Sequence, residues 1–497
     1  MTAAGLRSGF RSAALLGSLL AGAGACRRAA PPLDRVTIVG LPAVATDPYR
    51  HSHLPTFGAL ASYYDGLVAL DANAAVVPQL ATVWENPSET VWRIQLRPGV
   101  VFHDGRPFGA PDVVTSLRRA QSLAGSEVVD AVKTITGVRA LDDRTVEITT
   151  RRPAATLLAQ LAYVPIVPRD APLSPIERPI GTGPYAFVRG RPYGTFEGTR
   201  FDGYWGAKPL FRRFRYVPLE SPAEQARWIR NGLADVAGFV PRTFAAGPGA
   251  AWRVVPGRPV VNLLLGMAQW PGPFGDRRCR EAVARSIDRN RLSRSDPERI
   301  LSPLSRLIPA SVLGSVPASS PAPDAAAARR LLAEAGHPGG LDVSLLMYQG
   351  DAALGAELAR ELDASGIRVR LRSLPRREYF LALSDRTDAL FLFNWVPEWG
   401  DAAQLLDGFL HSRDGAYGEH NFLFNVDPGF DRLIETADRT LEPSARIVAL
   451  EQAVRDAQEN VPVIPLLLES RLAAVRQDLD FTPRSDGVVR VFDLRRR

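Results

Sequence analysis

Between residues 324 and 393 the apolar positions alternate between a spacing of three to four and a spacing of two. Asp324 is a plausible N-cap for AAAARRLLAEA, which ends at Gly336, and DVSLLMY (342–348) then has the run of a buried strand. Asp351 is positioned as the next cap, and Leu354, Leu358 and Leu362 recur at i, i+4 and i+8 down one helix face. Gly366 closes that helix, and Ile367, Val369 and Leu371 alternate as a strand. A helix over 376–385 leads into the fully apolar 389–393. Strand, helix, strand, helix, strand at this spacing predicts right-handed crossovers and a parallel sheet covered on both faces. The fold class is therefore α/β. Doubly wound sheets hold ligands beyond the carboxyl ends of their strands, here Tyr348-Gln349, Leu374-Pro375 and Asn394-Trp395.

The rest of the chain gives shorter elements. A strand starts at Arg35 (Val36, Ile38), Asp47-Pro48 turns the chain, and a helix is expected across Phe57 to Leu67. In 91–97, Trp92, Ile94 and Leu96 alternate as in a half-buried strand, and 145–149 alternates likewise. A helix beginning near Ala110-Pro111-Asp112 carries Val113, Val114 and Leu117 on one side. A helix over 444–459, a strand over 463–468 and a surface connection over 315–323 complete the pattern.

The first residues follow a different logic. Arg7 and Arg11 precede an apolar stretch from Ala13 to Ala25, far short of the roughly twenty residues a membrane span needs. A basic start, a short apolar run and small residues before a cut site form an export signal. Ala23-Gly24-Ala25-Cys26 resembles a bacterial lipobox, so Cys26 is the expected lipid-bearing residue and 27–33 a tether. The expected location is the periplasm or the outer face of a membrane, and lipid on Cys26 leaves Cys279 without a disulfide partner.

A chain of 497 residues requires more than one core. Its net charge of +7 rests on arginine, since Lys133 and Lys208 are the only lysines. These arginines are interleaved with acids along the chain, whereas nucleic-acid binding gathers charge on one face, so no nucleic-acid partner is expected. Gly181-Thr182-Gly183-Pro184-Tyr185-Ala186 fits G-x-G-x-x-A, but Pro184 lacks an amide donor and a strand follows, so no dinucleotide is held there. His103-Asp104-Gly105 sits in a turn between strand and helix. His51 and His53 have no neighbouring carboxylate or cysteine to complete a metal site, and neither metal nor cofactor is expected. The sequence lacks G-x-S-x-G, H-E-x-x-H and S-x-x-K, which argues against a secreted hydrolase.

From residue 63 onward, longer motifs appear in a consistent order: YYDGLV, Pro78-Gln79-Leu80-Ala81, LRPGVVFHDGRPFGAPDVVTSL, PIGTGPY (179–185), AEQARWIRNGLADVAG (223–238), PFGDRRCREAVARSIDR (273–289), NWVPEWGD (394–401) and ENVPVIPLLL (459–468). Together they resemble the extracytoplasmic solute-binding protein family 5, the oligopeptide-, dipeptide- and nickel-binding components of ABC importers. The resemblance implies a periplasmic-binding-protein type II fold with two doubly wound lobes and an inserted third domain. It puts lobe I at 34–75, 176–262 and 478–497, the inserted domain at 76–175 and lobe II at 263–477, with hinge crossings near 262 and 477. It further implies a monomer that captures an oligopeptide or peptide-like solute and delivers it to ABC permease subunits; a metal chelate, opine or sugar is the alternative cargo. In this family an acid after the tryptophan pairs with the peptide ammonium, and Glu398 matches it. Trp395 and Trp399 would supply aromatic walls, Tyr348 and Gln349 end the preceding strand, and His51 lies in a loop that approaches the cleft in relatives. The family's usual Asp-Pro is Asp401-Ala402 here, and no arginine matches the one dipeptide binders use for the ligand carboxylate.

Overall fold

The computed structural model describes residues 34–50, 54–245, 250–269, 272–297, 299–385, 387–484 and 488–497. Cys26, the export signal and His51 lie outside them. Two long strands, Trp252–Met267 and Val463–Arg476, pair antiparallel along their lengths. Their register shifts between Pro256 and Val261, opposite Glu469 to Leu472. On one side of this break the sheet continues through Leu390–Trp395, Leu341–Tyr348 and Ile367–Leu374, the last two parallel to each other and Leu341–Tyr348 parallel to Leu390–Trp395. On the other side follow Val236–Val240, Arg35–Gly40, Arg213–Pro218, Phe196–Arg200 and Tyr185–Arg189. With Ile300–Pro303 added beside the second long strand, the sheet has eleven strands. The expected strand at 463–468 is longer because it serves both halves.

The apolar strands are buried on both faces. Leu263, Leu265 and Met267 pack with Cys279, Leu354, Leu358 and Leu362, while Leu264 faces Leu346, Phe391, Phe393 and Trp395. A period of two sends successive side chains to two separate cores, which is why these strands carry long apolar runs such as 263–265 and 390–393. Helices Ala325–Glu334 and Ala352–Asp363 cover this half, and Asp324 caps the first by accepting from the Ala327 amide at 2.8 Å. Asp351 occupies the cap position of the second but makes no capping bond; its buried carboxylate pairs with Arg299 at 2.8 Å instead.

A separate four-stranded antiparallel sheet is built from Ala81–Ser88, Val91–Leu96, Thr145–Thr150 and Ile135–Ala140, backed by helix Ala110–Ser122. That helix is tied to the large sheet by a buried pair. Arg119 donates to Asp47 at 3.1 and 2.5 Å and to the carbonyls of Pro172 and Ser174, over the ring of Tyr49. Asp47 also accepts from the amides of Tyr49 and Ile176, so nearly every donor and lone pair is used.

The helix expected across Phe57 to Leu67 is shorter, Leu54–Leu60. Beyond it the backbone serves other partners: the Ser62 and Tyr63 carbonyls accept from Tyr185 and Gly183, and the Gly66 amide donates to Gln79. A Cβ on Gly183 would lie 2.5 Å from the Tyr63 carbonyl carbon, so the two segments touch only because that residue is glycine. His103 fastens the same contact, accepting from the Gly181 amide and donating to the Gly183 carbonyl at 2.9 Å, and burial lowers its pKa. Its role is structural. Among the described residues no helix is long and apolar enough to cross a membrane.

Candidate functional site

The strand Leu390–Trp395 delivers its carboxyl end to a cavity of about 400 Å³. One wall is built from residues 394–438, the other from residue 57 and residues 127–163. Trp395, Glu398 and Trp399 all line it. Trp395 is only 3 % exposed and packs into the core, with its carbonyl held by the Asn262 side chain at 3.0 Å and its indole N–H without a hydrogen-bond partner. Glu398 sits in the turn that follows, its backbone carbonyl accepting from the Tyr163 hydroxyl of the opposite wall at 2.9 Å. Trp399 is half-buried against the core that the four-stranded sheet shares.

Tyr348 and Gln349 are not among the cavity-lining residues. Tyr348 is half-buried against the core that holds Trp395, and Gln349 is exposed at the start of a single helical turn. Asp401 also acts away from the cavity: it caps Ala403 and forms a two-pronged buried pair with Arg446 at 2.5 and 3.1 Å.

Sequence reasoning missed the inner wall. Residues Leu406–Leu410 form a wide turn of π-helical hydrogen bonding, in which His411 donates its amide to Leu406, and this turn carries Asp407. Asp407 Oδ1 is buried without a hydrogen-bond partner. Arg152, just past the strand Thr145–Thr150, lies 3.4 Å from Asp438 and 3.7 Å over the ring of Tyr417, whose hydroxyl donates to Asp438 at 3.0 Å. Burial raises the pKa of both Asp407 and Asp438; the charge of Asp438 adds to the rise at Asp407, and Arg152 opposes it at Asp438. Arg152–Asp438, Lys133–Glu419 at 3.5 Å and the Ala155 amide on the Asp438 carbonyl all join the two walls. No period or motif marks Arg152, Asp407 or Tyr417, since each belongs to a connection and gains meaning only when the walls meet.

Residues 75–417 match the family model described as bacterial extracellular solute-binding proteins, family 5 Middle. The chain belongs to this family. It is a solute-binding protein with the fold of type II periplasmic binding proteins. It is similar to the glutathione-binding protein GsiB of Pectobacterium atrosepticum, 24 % identical over 451 residues, 86 % of each chain. Among solved structures it resembles AgaA of A. tumefaciens R10 in complex with agropinic acid, with a TM-score of 0.78, 21 % identity and coverage of 93 % and 99 %. It also resembles the ABC transporter-associated protein DppA of Helicobacter pylori in complex with peptide STSA, with a TM-score of 0.75, 19 % identity and coverage of 94 % and 98 %. Solute-binding proteins of this family are not enzymes.

Proposed function

We propose that this protein captures a peptide-like solute in the cavity between its two walls, with Glu398 receiving the amino terminus, and delivers it to an ABC permease. The carrying observation is that Trp395, Glu398 and Trp399 converge on one cavity at the carboxyl end of a strand. A carboxylate there is a strong partner for an ammonium group that leaves water on closure. The reading takes lobe I, the inserted domain and lobe II in the order expected from the sequence. It takes the hinge at the register break of the two long strands, beside the crossing expected near 262 and before the one expected near 477, because both strands run from one half of the sheet into the other there. Export and a lipid at Cys26 belong to the same proposal, as does a monomeric state.

Thermal shift with peptides of two to ten residues tests it, because a ligand that binds only the folded state raises Tm. Peptides should raise Tm, N-acetylated versions should not, and Glu398→Gln should abolish the difference. A Tm that responds to opines or sugars and to no peptide would overturn the assignment.

A further inference from the structure

The charge of the cavity opposes that of the chain. Its described lining carries six carboxylates: Glu127, Asp130, Glu398, Asp407, Glu419 and Asp438. The cations there are Lys133 and Arg152, a formal balance of −4 inside a protein of formal net +7, with burial pushing Asp407 and Asp438 toward holding a proton until a cation meets them. Both cations are already engaged, Lys133 with Asp130 and Glu419, and Arg152 with Asp438.

The uncharged lining points the same way. Gln160 is 8 % exposed, its amide nitrogen donates to Thr156 at 3.2 Å, and its carbonyl oxygen is buried without a partner. Gln404 Oε1 and Asp407 Oδ1, on consecutive turns of the opposite wall, are buried acceptors without a partner as well. Unmatched buried acceptors are costly, and they are relieved by a guest rich in N–H groups.

We infer that the solute is net cationic and that a second positive group, distinct from the amino terminus at Glu398, is received at Asp407. This rests on the peptide reading for the role of Glu398, while the sign of the solute's charge does not. A negatively lined cavity within a positive chain selects by charge: a net-anionic peptide meets repulsion at the walls, and a dication finds acceptors already in place.

Isothermal titration calorimetry at pH 7 with one set of ligands separates the two readings. The set is Ala-Ala-Ala, Ala-Lys-Ala, Ala-Glu-Ala, glutathione and the non-peptide polyamine spermidine. Ala-Lys-Ala is expected to bind at least about tenfold more tightly than Ala-Ala-Ala, the scale of one charge-assisted hydrogen bond, with Ala-Glu-Ala and glutathione weaker than both. Asp407→Asn should weaken Ala-Lys-Ala far more than Ala-Ala-Ala and so erase that preference. Binding of Ala-Glu-Ala or glutathione as tight as Ala-Lys-Ala would overturn the inference and leave the peptide reading standing. Binding of spermidine alone would do the reverse, and binding of none would end both. An Asp407→Asn protein that loses Ala-Ala-Ala and Ala-Lys-Ala equally would remove Asp407 as the second receiving group. If that variant fails to fold, the wild-type ligand set decides the question of charge by itself.

Discussion

The pair Asp47–Arg119 offers a stringent test of how the four-stranded sheet is held. Both side chains are almost fully buried, at 2 % and 1 % exposure, so neither charge can retreat to water when its partner is removed. Arg119→Met strands the Asp47 carboxylate, though two backbone amides still donate to it. The expected loss is about 3–5 kcal/mol, the usual cost of orphaning one member of a buried pair. Asp47→Ala is expected to be worse, about 5 kcal/mol or more, because the amides of Tyr49 and Ile176 lose their acceptor as well as Arg119 its counter-charge. The double variant should fall short of the sum by about 2 kcal/mol or more, since the second deletion removes the charge the first left buried and unpaired. Urea unfolding followed in parallel by circular dichroism and tryptophan fluorescence measures all four corners of this cycle. Additive losses, or an Arg119→Met loss below about 1 kcal/mol, would refute the view that this pair fastens the helix Ala110–Ser122 to the large sheet.

Three further outcomes are expected. A Cβ on Gly257 would stand 2.4 Å from the carbonyl oxygen of Arg471, so Gly257→Ala should force the long strands apart at the register break, cost about 1–3 kcal/mol and weaken ligand affinity; unchanged affinity with lowered stability would move the hinge elsewhere. Burial raises Asp65 to about 6 against hydrogen bonds from Trp205, Thr182 and Gln79, so between about pH 4 and 6 the folded chain holds a proton that the unfolded chain has released. Stability from this group therefore falls as pH rises through that window, by up to about 3 kcal/mol, and the urea midpoints of Asp65→Asn should lack this downward component; parallel profiles for the two proteins would contradict it. Gly183→Ala, whose Cβ would overlap the Tyr63 backbone, should destabilise by about 1–3 kcal/mol without changing the cavity lining, read as a lowered Tm with unchanged ligand affinity once folded.

The two-layer pattern of the half around Leu341–Tyr348 was legible because its period of two feeds two cores at once, and the 3.6-residue spacing of Leu354, Leu358 and Leu362 leaves one solution for the covering helix. The extent of the long strands was not. Nothing local distinguishes Leu466 in one half from Ala474 in the other, and their joint membership of one strand depends on pairing with Trp252–Met267. Asp351 misled for a related reason: a cap and a buried counter-ion use the same residue type, and Arg299, far off in sequence, decides between them. At the cavity, the strand end at Asn394-Trp395 was legible from sheet topology, whereas Glu398 and Trp399, which line the same cavity, were singled out by the family resemblance. Tyr348 ends the neighbouring strand but packs against the core that holds Trp395 and does not line the cavity.

The two long strands make the molecule hard to divide. Severing the chain at 257 or 471 would leave each fragment with an incomplete sheet and a bare edge, the condition that invites mispairing between copies. Chimaeras that trade one half for that of a related protein would need to bring both long strands along in full. A substitution in either strand is correspondingly felt on both sides of the break, so differences in solute preference among such proteins are more readily accommodated in the connections around residues 152 and 407 than in the sheet that spans them.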